Sequence, residues 1–327
     1  MKKWAEGDFD TRKALMEGHH NLRRFENLDP ATSELSENDA RILLANKRGY
    51  AHWVKYDNYL HLDPGVRDVI DAIQRNDLAG LQAALATDPD AANPHYVHGY
   101  QPIEPDSRNY NNDSIPLFEV SENTFLGAIP AGTNEAAMVE TLISAGADPE
   151  IDHGHPMTAA VSYNAIHVVR ALIDGGAAVD GPYGHGCPMA FALHIGYPDV
   201  IQLLVERGAR LDLRFAAGVG DLDRVKSFIN DAGSLKPDAG IQADPYTRSA
   251  SPDDPGRYQM ERTRENILHQ AFYFACRSNN LDVADYLFSS DIDINAWVPG
   301  LDQAAPILHW CVGWGSSAGA TKAHDGL

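Results

Sequence analysis

Pro156-Met157-Thr158-Ala159-Ala160 opens a stretch that closes on Leu172-Ile173-Asp174-Gly175-Gly176-Ala177, and Pro188-Met189-Ala190-Phe191-Ala192 opens another that closes on Leu203-Leu204-Val205-Glu206-Arg207-Gly208-Ala209. Both landmarks move by 32 residues (188 − 156 and 208 − 176). A fixed period of this length marks stacked helix-turn-helix units, which cannot bury their apolar faces alone and do so against neighbours. In each unit the second helix carries apolar residues at i, i+1, i+4 and i+5: Val168, Val169, Leu172 and Ile173, then Val200, Ile201, Leu204 and Val205. Gly146, Gly176 and Gly208 stand just past these helices, where a left-handed residue closes the helix and glycine adopts that conformation without steric cost.

Outward from this pair the pattern continues with interruptions. Val66–Ile73 and Leu78–Ala86 form one helical hairpin, and Phe125–Ala131 with Ala136–Ser144 form the next. Between them, residues 91–122 are rich in Pro, Asn and Tyr and read as a long insertion. A compressed unit, with Leu222–Ile229 as its second helix, precedes a polar insertion at about 231–262. The long helix Glu265–Arg277 then pairs with Leu281–Phe288, and a last unit opens at Pro306-Ile307-Leu308-His309. Residues 1–64 are helical without repeating and read as an N-terminal cap, in which Trp53, Tyr56 and Leu60 share a face that packs on the first hairpin. The fold expected is all-α: an α-solenoid over residues 65–315 with insertions at about 91–122 and 231–262, followed by a polar tail at 316–327.

Composition narrows the function. The chain has 327 residues, 44% hydrophobic and 22% charged, with a net charge of −20 and a pI near 4.9. An excess of carboxylates opposes binding to nucleic acid or anionic membrane, both of which recruit Lys and Arg. No apolar run approaches the roughly 20 residues of a membrane span. Residues 1–8 turn acidic where an export signal would turn apolar, so the cytoplasm is the expected location. Three widely spaced cysteines, Cys187, Cys276 and Cys311, form no disulfide pattern. No phosphate-binding glycine loop, nucleophile elbow or HExxH pair is present.

The repeats resemble the ankyrin family. Its Thr-Pro-Leu-His opening is matched by His155-Pro156-Met157-Thr158, Cys187-Pro188-Met189-Ala190 and Ile307-Leu308-His309, and its Leu-Leu-x-x-Gly-Ala-Asp ending by Leu142-Ile143-Ser144-Ala145-Gly146-Ala147-Asp148. Residues 38–53 also resemble the leader of a group of bacterial ankyrin-repeat proteins. The resemblance implies ankyrin-type repeats acting as a protein-binding scaffold, with finger loops and inner helices forming a concave surface. Most Thr and His residues of the family's opening are absent, so their hydrogen bonds need replacement.

Tyr163, His194, Tyr273, Trp310 and Trp314 are the candidates for that surface, with Tyr100 and Tyr110 reaching over it from the first insertion. Rigid aromatics make good binding anchors. The expected partner is another protein, one with a basic segment fitting the acidic scaffold. No cofactor is called for. The alternative is an enzyme or small-molecule binder with a pocket between the long loops and the inner helices. One constellation suits a metal: His153, His155, His185 and Cys187 lie in adjacent loops in the same register, and imidazole and thiolate are zinc ligands.

Overall fold

The computed structural model describes residues 37–48, 53–93, 115–184, 186–242, 261–290 and 292–296. Among these residues the chain is all-α, with fourteen α-helices and no strand. α1 (Glu37–Lys47) and α2 (Trp53–His61) precede six hairpins: α3 (Pro64–Gln74) with α4 (Leu78–Thr87), α5 (Pro116–Phe125) with α6 (Glu135–Ser144), α7 (Ile151–Ser162) with α8 (Ile166–Asp174), α9 (Cys187–Ile195) with α10 (Pro198–Glu206), α11 (Leu213–Val219) with α12 (Leu222–Ser227), and α13 (Arg264–Arg277) with α14 (Leu281–Phe288). The odd-numbered helices α3 to α13 pack in sequence as one row. The even-numbered helices form a second row, α4 on α6, α6 on α8, α8 on α10, and α12 on α14.

The same two turns recur along the rows. Within five hairpins the turn residue is left-handed: Asn76, Asn164, Gly196, Gly220 and Asn279, with φ between 54° and 86°. The residue after each donates its N–H back to a buried alanine carbonyl: Ala72, Ala160, Ala192, Ala216 and Ala275. Asparagine tolerates this conformation and glycine adopts it freely, which is why these two residue types occupy that place. Between hairpins, Gly146, Gly176 and Gly208 are left-handed as expected, and the following N–H groups bond to Leu142, Leu172 and Leu204. Those leucines are fully buried, each contributing roughly 1.5–3 kcal/mol by leaving water.

A side-chain ladder ties successive hairpins together. Asn93 Oδ1 accepts from Asp148 N at 3.3 Å, Glu150 Oε1 from Ala178 N at 2.6 Å, Asp180 Oδ1 from Arg210 N at 2.9 Å, and Asp212 Oδ2 from Gln242 N at 3.1 Å. The first three donors, Asp148, Ala178 and Arg210, each lie two residues before the next acceptor, so the bonds form a running series.

Several expectations shift. α5 begins at Pro116, inside the stretch expected as insertion. Pro116 sits at the first helical turn, where its missing N–H costs nothing, and Leu117, Phe118 and Val120 are buried. Phe125 is therefore the end of the inner helix, and Leu126–Asn134 are its turn. The second insertion is built into the array as far as Gln242: Ala239 is buried and its carbonyl accepts from Leu213 N. In the N-terminal segment, Trp53 and Tyr56 pack with Ala45, whereas Leu60 is exposed. Tyr59 makes the link to the first hairpin, its hydroxyl donating to Asp71 Oδ1 at 2.6 Å.

Candidate binding surface

Of the surface candidates, Tyr163, His194 and Tyr273 are described, and they lie along the inner row. Tyr163 caps α7 and is half-buried. Its ring stacks on Phe125 with centroids 4.7 Å apart and meets Phe118 edge-on at 6.4 Å; Phe118 in turn lies 5.0 Å from the His155 ring. Phe125 is 58% exposed and its neighbour Leu126 is 55% exposed. Together these side chains form an aromatic group spanning α5 and α7, open to solvent at the hairpin ends. Below it, Asn123 Nδ2 donates to the buried Glu119 carboxylate at 3.0 Å. Phe118 and Phe125 carry no surface signal in the sequence, because the stretch before Phe125 reads as insertion and not as an inner helix.

His194 and Tyr273 meet each other inside the row. The Tyr273 hydroxyl lies 3.0 Å from His194 Nδ1, and both residues are buried. Arg277 closes the group, donating to the carbonyls of His194 at 3.2 Å and Ile195 at 2.7 Å. Burial, and secondarily the Arg277 charge, push the imidazole down to about 3, so His194 is neutral at ordinary pH. This trio ties α9 to α13 across the compressed hairpin.

A second buried polar group lies beside it. Arg214 is fully buried and donates to Asp212 Oδ2 through Nε at 3.0 Å and Nη2 at 2.8 Å. It also bonds Gln270 Oε1 and the Gln242 carbonyl, and Arg262 donates to that same carbonyl at 2.8 Å. Residues on both flanks of the second insertion thus converge on one carbonyl. Neither a basic residue in an inner helix nor its partners carries a periodic signal, so sequence gave no sign of this group.

The four metal candidates are only partly placed. Gly154 and Gly186 are left-handed, at φ 76° and 83°, so the 32-residue register holds in backbone conformation. α7 runs from Ile151 to Ser162 with Pro156 inside it, so His153, Gly154 and His155 all belong to the helix, and the His155 ring is set against Phe118 rather than in a loop. Cys187 starts α9, where burial pushes its thiol up to about 12 despite a hydrogen bond with Thr158. A thiol so raised is a poor nucleophile. Among the described residues no group of three or more His, Cys, Asp or Glu side chains is placed to hold a metal ion. His185, Tyr100, Tyr110, Trp310 and Trp314, and the side chain of His153, lie outside the described residues. No helix among the described residues is long and apolar enough to cross a membrane. Compared with known protein families and with curated proteins, the chain matches neither a family nor a protein.

Proposed function

We propose that the chain is an ankyrin-type repeat scaffold that binds another protein along its inner row and the adjoining loops. The observation that carries this reading is the aromatic group of Phe118, Phe125, Tyr163 and His155, held between successive inner helices with Phe125 and Leu126 open to solvent. Rigid stacked aromatics provide contact area at small entropic cost. The two-row stack and its recurrent turns support the ankyrin-type assignment, and the net charge of −20 favours a partner segment rich in Lys or Arg. The buried histidine and the raised thiol are poor acid-base or nucleophilic groups, so the inner row suits binding better than chemistry.

A peptide array carrying basic, neutral and acidic segments, probed with the purified chain, tests this. Basic segments with an aromatic or aliphatic anchor are expected to bind, and binding is expected to weaken at least about tenfold between about 50 mM and about 300 mM salt. Phe125→Ala is expected to weaken it by about tenfold or more. Absence of charge preference, or indifference to Phe125→Ala, contradicts the reading.

A further inference from the structure

The aromatic group at α5 and α7 stands in the longest stretch of the chain without lysine or arginine. None occurs between Arg108 and Arg170, so α5, α6 and α7 carry neither. Of the acids described there, Glu140 and Asp148 are exposed and Glu122 and Glu150 half-buried. Glu122 precedes Phe125 and Leu126 by three and four residues, which places the three on one side of the end of α5. Phe125 rests on Tyr163 with the two rings 19° from parallel, and 58% of the residue is exposed. The face of an aromatic ring carries partial negative charge and attracts a cation laid over it.

Shape and charge together indicate what fits there. A purely apolar segment would cover the ring but leave the surrounding carboxylates without a counter-charge. Elsewhere the chain lays its own cations over rings: Arg41 over Trp53 at 5.4 Å, Arg214 over Phe215 at 5.6 Å and Lys226 over Tyr286 at 5.3 Å. Both residue types are drawn to a ring, and they differ in how they lie on it. A guanidinium is planar and weakly hydrated and stacks in parallel, whereas an ammonium is compact and holds its water. We propose that the Phe125–Tyr163 stack is an arginine site, in which an arginine of the bound protein lays its guanidinium on the open part of Phe125, in a zone whose charged side chains are carboxylates. This rests on the reading of the inner row as a protein-binding surface and names the residue that surface selects.

Calorimetric titration of the full-length chain with octa-arginine and with octa-lysine tests this proposal. Octa-arginine is expected to bind at least about fivefold more tightly, and Phe125→Leu, which keeps an apolar side chain without a ring, is expected to abolish the difference. The arginine δ-methylene protons of the bound peptide are expected to shift upfield on the wild type and not on Phe125→Leu. Phe125 is exposed at a helix end, so the variant should keep the wild-type unfolding midpoint, and the comparison of the two peptides on the wild type needs no variant. Failure of both peptides to bind, equal affinities, or an arginine preference that survives Phe125→Leu overturns the proposal. The inner-row reading outlasts that result where Phe125→Ala still weakens binding on the peptide array. Tighter octa-arginine binding by Arg108→Ala, which makes the chain's own arginine the occupant, overturns the proposal too, as does self-association abolished by Phe125→Leu.

Discussion

At the scale of single residues, the molecule is decided by a few polar groups placed where apolar ones would be ordinary. His194 illustrates the consequence for stability. Its pKa in the fold, about 3, lies below the unfolded value near 6.5, so the unfolded chain takes up a proton that the native chain refuses. The contribution of this group is complete above the unfolded pKa and falls as pH drops from about 6.5 toward about 3. Between pH 7 and pH 5 the loss from this group is about 2 kcal/mol. Urea unfolding of the wild type at the two pH values, compared with His194→Gln, checks it: the variant is expected to lose less stability on acidification, and equal losses contradict the assignment. The turn asparagines Asn76, Asn164 and Asn279 are legible in hindsight as left-handed residues, since Gly196 and Gly220 hold the equivalent places. Arg214 and Asp212 were not legible, because a buried ion pair is a tertiary fact with no local periodicity.

At the scale of elements, the regular hairpins α7–α8 and α9–α10 follow directly from their periodicity, and their glycine turns lie where expected. α5 was hidden by its surroundings. Its opening Ile115-Pro116-Leu117-Phe118 carries the same proline start as Pro188 in α9, but it follows a long polar stretch and an extended turn separates it from α6, so the constant period fails there. The ladder of Asn93, Glu150, Asp180 and Asp212 also escaped a reading of helices, since it belongs to the joints between them. Asp180 accepts both Arg210 N and, at 3.1 Å, Arg210 Nε. Asp180→Ala is expected to cost about 1 kcal/mol, chiefly from the lost backbone bond, since the Arg210 side chain is exposed and its ion pair is weak. Denaturant titration measures this loss. A change near zero would mean that the ladder is decorative.

At the scale of the whole molecule, neighbours contact neighbours along the described residues. α1 and α2 lean on the first hairpin through Tyr59, whereas α14 presents Leu281 and Phe288 outward. In such a linear stack, stability is the sum of unit and joint contributions, so hairpins with partners on both sides hold best. The surface proposed for protein binding derives its shape from this arrangement. Native-state hydrogen exchange read residue by residue is the most direct test of it. Protection is expected to peak at the N–H groups of α7 to α10, including Ala165, Ala177, Tyr197 and Ala209 in the turns, and to decline toward α3 and α14. Uniform protection from α3 to α14, or early exchange in α7 to α10, would contradict a stack of helical hairpins.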